Sequence, residues 1–238
     1  MKFILTTAIV FLFGVTTAGA DVRSLMISSG QHPPFAGDAL PEDGIVNSYV
    51  RRVAEEAGFV ADIRYLPWAR ALETSRNANF QATSYWYYSE ERNADFIHVG
   101  PVSQEAEVFF VLEDAGIPEW ERLEDLSGYR IGATLSYTYT PEFWSLGESG
   151  VLTLSETPEN ESNLRKLLSG RIDLFPISEE VGWYMIRNLF SEEDQARFTT
   201  LKKPLNTHEG YLLVSRAAPQ SEQIAADLQS AVDRLPMQ

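Results

Sequence analysis

From Ser24 onward the chain alternates short apolar stretches with runs of helical period, and it does so in two successive sets. This alternation is what most narrows the fold. Ser24 to Ser28 reads as a strand, stopped by Gly30 and the turn at Pro33–Pro34. Ile45, Tyr49, Val50, Val53, Ala54 and Ala57 then recur at helical spacing up to Gly58. Phe59, Ala61, Ile63 and Tyr65 alternate with Val60, Asp62 and Arg64, as on a strand with one better-buried face. Pro67 suits the first turn of a helix carrying Trp68, Ala71 and Leu72, and a strand follows near Phe80 to Ser84. The order β-α-β-α-β favours an α/β sheet with helices on its faces.

A strand at Glu107 to Leu112 leads through Leu123–Gly128 into the second set. Tyr129 to Ala133 and Val151 to Ser155 read as strands, separated by a helix that Thr140 caps and Pro141 opens. Leu164, Leu167 and Leu168 mark a helix stopped by Gly170. Ile172 to Pro176 is the next strand, and Ser178 suits the cap of a helix with Val181, Met185 and Leu189. A final strand at Tyr211 to Val214 and a helix bearing Ile224, Leu228, Val232 and Leu235 make a poor third domain. They are expected to return to the first unit. The expected plan is a first lobe over 21–111, a second over 112–204, and a return to the first over 205–238, with crossings near Leu112 and Pro204. Arg70 to Ser84 and Arg165 to Ser178 share one layout of helix, turn, strand and loop, and ligands of open α/β sheets bind beyond strand carboxyl ends. Both loops are therefore expected to meet at one cleft.

Residues 1–20 have the layout of a cleavable secretory leader: one charge, Lys2, an apolar run from Phe3 to Val15, then Ala18–Gly19–Ala20. That run is shorter than the ~20 residues needed to span a bilayer, and no later stretch is free of charges, Gly or Pro. With no cysteine, the chain has neither a disulfide nor a lipid-bearing residue at the processing site. The expectation is a soluble periplasmic protein, with no membrane insertion after cleavage. A formal charge of −15 repels phosphate backbones and anionic lipids, which argues against nucleic-acid partners. A hydrophobic share of 44% is ample for a packed core and argues against disorder.

Several short pieces, in order, carry a family resemblance: Pro33–Pro34–Phe35, Gly44–Ile45, Pro67–Trp68–Ala69–Arg70–Ala71–Leu72, Glu91–Arg92 followed by Asp95–Phe96 and Gly100–Pro101, Leu123–Glu124–Asp125–Leu126–Ser127–Gly128, and Leu168–Ser169–Gly170–Arg171–Ile172–Asp173. Together they resemble the periplasmic solute-binding proteins of the type that includes polar amino-acid receptors of ABC importers, the bacterial extracellular solute-binding proteins of family 3. The resemblance implies a two-lobe periplasmic binding protein type 2 fold, each lobe an α/β sheet, joined by two crossings. It implies a monomer without cofactor or metal that binds a small molecule and hands it to an ABC permease. A membrane sensor reading the closed state is the alternative partner.

In such proteins the arginine of the Glu–Arg pair, here Arg92, forks onto a ligand carboxylate, a role a planar guanidinium suits. The competing reading is an ion pair with Glu90, Glu91 or Asp95. The position that usually supplies an acid for the ligand's ammonium matches Ser178, followed by Glu179 and Glu180, which weakens an α-amino-acid assignment. The run Tyr85, Trp86, Tyr87 and Tyr88 offers flat apolar walls for a ring, a hydrocarbon face or a quaternary amine. Phe35 joins the candidate contacts by the same resemblance. Trp68 fits either the core or the cleft, and Arg70 either the cleft or the helix end. Of Tyr137 and Tyr139, one is expected to line the cleft and the other to pack. Catalytic constellations are missing from the sequence: His32, His98 and His208 lack zinc-site spacing, and there is no Gly-x-Ser-x-Gly elbow or phosphate-cradling loop. A dehydratase-like enzyme on the same fold is the remaining alternative, since function resides in the site and not the fold.

Overall fold

The computed structural model describes residues 23–135, 137 and 139–237. The leader expected over 1–20 lies outside the described residues. Strand β1 (Arg23–Ser29) leads to helix α1 (Ile45–Glu56), followed by β2 (Phe59–Tyr65), α2 (Trp68–Arg76) and β3 (Ala82–Tyr87). β1 pairs in parallel with β2 and β3, as βαβ crossovers require. The three are held together at their carboxyl ends by buried polar groups. Ser28 Oγ donates to the Ala71 carbonyl at 2.9 Å. Asn47, fully buried on α1, donates to Ser29 Oγ and the Tyr65 hydroxyl and accepts from Ser84 Oγ at 2.6 Å. Each buried polar group thus has its partner, the condition for carrying it into a core. The network fixes the height at which the aromatic run after Ser84 leaves the sheet.

β4 (Phe96–Leu112) is a 17-residue strand, much longer than the Glu107–Leu112 segment legible in the sequence. Gly100–Pro101 looks like punctuation, but here the strand continues through it with a register shift between Val99 and Ser103. Beyond β4 come β5 (Arg130–Thr134), α3 (Pro141–Glu148), β6 (Thr153–Thr157), α4 (Asn160–Leu168), β7 (Phe175–Ser178), α5 (Glu179–Leu189), the short α6 (Glu192–Gln195) and β8 (Phe198–Thr200). Thr140 caps α3 by accepting from the Phe143 amide at 3.2 Å. Ser178 stands at the N-cap of α5, but its hydroxyl turns to Glu180 at 3.3 Å and caps nothing. The chain ends with β9 (Asn206–Ser215) and α7 (Ser221–Arg234). β9 lies between β3 and β4, and α7 packs on α1 and β4.

The main sheet has the order β2-β1-β3-β9-β4-β7, with β8 also on β4, and β5 with β6 forms a separate parallel pair. β4 pairs with β7, β8 and β9. Its alternating side chains serve two cores: Val108 and Phe110 enter the larger one, Phe109 and Val111 a second around Trp120, Leu126, Ile131 and Phe143. All four are buried, which is why this stretch reads as an unbroken apolar run. No helix among the described residues is long and apolar enough to cross a membrane.

Candidate functional site

A cleft of about 620 Å³ opens where the ends of β3, β4 and β9 meet the second set of elements. One wall comes from β3, which runs on through Tyr87 and does not end in a loop at Ser84. Aromatic residues favour strands, and β9 supplies the partners: Trp86 faces Tyr211 and Tyr87 faces Gly210. Trp68, at the start of α2, meets Trp86 edge to face at 5.0 Å and donates from Nε1 to the Gln31 carbonyl. A side chain at Gly30 would place its Cβ 2.2 Å from the Trp68 ring, so this glycine makes room for the indole to reach the cleft.

The single-turn helix Glu90–Ala94 brings Arg92 back over this wall. Its Nη1 donates to the Tyr87 carbonyl at 2.7 Å, and the guanidinium lies 5.1 Å from the Trp86 ring centroid, within cation–π range. Among the described residues Arg92 forms no ion pair; Asp95 is instead held by Arg76 at 2.7 Å. Partial desolvation lowers the Arg92 pKa, opposed by the nearby Glu91 carboxylate, yet a guanidinium keeps its charge in such surroundings. The arrangement is a charged fork, stacked and oriented, with donors left over for a ligand.

The floor comes from β4 and β9. Glu105 and Glu107 stand two apart and so share a face of β4, and Glu105 is in register with His208. Glu105 is 1% exposed. Its Oε1 accepts from the Tyr85 hydroxyl at 2.8 Å and its Oε2 from the Tyr87 hydroxyl at 3.0 Å. Burial raises its pKa, and the two phenols oppose that rise by stabilising the carboxylate. His208 stacks on Tyr87 at 4.7 Å, and its Nε2 is 3.7 Å from Glu107 Oε2. That carboxylate raises the imidazole's pKa, with burial acting against it. His32, desolvated beside Phe35 and Tyr85, shifts downward instead. From the opposite side Tyr137, Ser178 and Val181 complete the lining. The Tyr137 hydroxyl accepts from Asn160 Nδ2 at 2.6 Å, which orients the ring.

The structure therefore gathers Trp68, Tyr85, Trp86, Tyr87, Arg92, Tyr137 and Ser178 around one space. Four other candidates lie elsewhere. Phe35 is buried behind the cleft and lines a separate hollow with Tyr49 and Val102. Tyr139 is buried, its hydroxyl accepting from the Thr134 amide and donating to the Pro176 carbonyl. Arg70 is exposed on α2 and Glu179 opens α5, neither in the lining. Tyr88, the last of the expected aromatic run, also lines the cleft, and Glu105, Glu107, His208, His32 and Val181 are lining residues that no sequence pattern marked as ligand contacts.

No family model matches the chain, and no curated protein matches its sequence. Solved structures do match. The second substrate binding domain of GlnP from Lactococcus lactis, in an open conformation, has 15% identity, covers 90% of this chain and 90% of its own, and superposes with a TM-score of 0.72. The L-cystine solute receptor of Neisseria gonorrhoeae, unliganded and open, has 16% identity over 91% of this chain and 88% of its own, also with a TM-score of 0.72. An ancestral arginine-binding protein bound to arginine has 14% identity over 89% and 91%, with a TM-score of 0.58. The chain has the mixed α/β, two-lobe fold of type 2 periplasmic binding proteins.

Proposed function

We propose that this chain is a soluble periplasmic solute-binding protein that captures a small, carboxylate-bearing ligand by closing two lobes on it and delivers it to an ABC importer. In this reading residues 1–20 are removed, 21–111 with 205–238 form one lobe, and 112–204 the other. The observation that carries the reading is the composition of the cleft: a stacked arginine with spare donors on an aromatic wall, faced by Tyr137, Ser178 and Val181 from elements beyond β4. A ligand bridging the two sides makes contacts available only when they approach, and that difference shifts the population toward closure. β4 pairs with β9 up to Glu107 and from there with β7 and β8 of the other side, so the end of β4, beside the start of β9, suits a hinge.

A thermal-shift screen over amino acids, small carboxylates, aromatic acids and quaternary amines tests the reading. A true ligand at 100 times its Kd stabilises the fold by about 2.7 kcal/mol. At least one compound bearing an acid group should shift unfolding upward, without being turned over. A screen in which only acid-free compounds act, or in which the hit is chemically converted, would count against it.

A further inference from the structure

One carboxylate in the cleft lacks what its neighbour has. Glu107 is 6% exposed, lines the cleft, and its Oε2 has no hydrogen-bond partner among the described residues. At 3.7 Å, His208 Nε2 is beyond hydrogen-bond reach of that oxygen. Glu105, on the same face of β4, has both oxygens engaged by tyrosine hydroxyls. Burying a carboxylate oxygen without a donor is costly, and Glu107 lines a space large enough for a small molecule.

The position of Arg92 adds a second constraint. Arg92 is bonded to the main-chain carbonyl of Tyr87, whereas Glu107 stands beside His208, whose ring stacks on the phenol ring of that same tyrosine. The guanidinium thus meets Tyr87 at its main chain, and the Glu107 carboxylate lies on the side of its ring.

Resting on the reading of the cleft as a ligand site, we infer that Glu107 receives a protonated amine of the ligand, and that the ligand carries this amine and its acid group on carbons several bonds apart. The amine needs an N–H, because a quaternary nitrogen would leave Oε2 without a donor. Tyr87 and Tyr137 provide faces for the intervening chain.

Calorimetry with γ-aminobutyrate, δ-aminovalerate and ε-aminocaproate tests the inference, each compared with the amine-free acid of the same length and with the trimethylammonio analogue. At least one amino acid of the series should bind. Removing or trimethylating its amine should weaken binding on the order of 30-fold or more, as for an unpaired buried charge. Glu107→Gln should cause a similar loss for that compound and leave the amine-free acid unaffected. Without ligand, Glu107→Gln should unfold at the parent's temperature or above, whereas a carboxylate serving only as a structural partner of His208 should lower it. Equal affinity for the amine-bearing and amine-free acids, or unchanged affinity in Glu107→Gln, overturns the cation subsite and leaves the carboxylate reading standing. Failure of the whole series to bind overturns it too, and the thermal-shift screen then judges separately whether the cleft is a ligand site.

Discussion

Arg92→Ala should weaken binding of the acid identified by thermal shift by roughly 2–5 kcal/mol, the cost of leaving a desolvated charge without its partner. Arg92 stacks on Trp86, donates to the Tyr87 carbonyl, pairs with no acid among the described residues and lines the cleft, which leaves donors for a ligand. Arg92→Lys should also bind less tightly, because an ammonium cannot reproduce the planar fork or the stacking on the indole. The fold should tolerate both changes within about 1 kcal/mol, since only an exposed hydrogen bond and one cation–π contact are lost. Titration calorimetry on the parent and both variants reads the affinities. Three equal values would show that Arg92 does not hold the ligand.

The largest effect on stability is expected at Phe110. Its ring is fully buried on β4, packs edge to face on Trp183 at 5.2 Å, and lies against α5 at Gly182. Phe110→Ala should cost about 3–5 kcal/mol, combining lost transfer energy with the cavity left behind. Gly182 is the other half of this contact. A mid-helix glycine costs up to ~1 kcal/mol against alanine, but a Cβ there would lie 2.3 Å from the Phe110 ring. Gly182→Ala should therefore destabilise by about 1–3 kcal/mol despite the better helix former. In the Phe110→Ala background the clash is gone, so the same change should become neutral or favourable, a coupling that a double-mutant cycle measures. Chemical unfolding followed by tryptophan fluorescence provides all four values, and strict additivity would contradict the packing described.

The elements were legible wherever a local pattern governs them. Pro141 after Thr140 gave the start of α3, and the spacing from Ile45 to Ala54 gave α1, because caps and amphipathic faces are written within a few residues. β4 was cut short, since Gly100–Pro101 has the chemistry of a turn and only its non-local pairing with β9 carries the strand through. The aromatic wall and Arg92 stood out through composition and family resemblance. Glu105 and Glu107 did not, because nothing local separates two carboxylates from 34 acidic residues. The available signal was their position: two acids with one residue between them, leading directly into the buried run Val108–Val111. The strand register supplies the rest. It sets Glu107 beside Ser178 and Glu105 beside His208, pairings that no local pattern contains.

Closure of the two sides about β4 and β9 is the central claim, and solution scattering tests it most directly. The parent protein should show a smaller radius of gyration when saturated with the acid found by thermal shift than when free, and Arg92→Ala at the same concentration should keep the dimensions of the free form. Identical scattering from free and saturated parent protein would contradict the account.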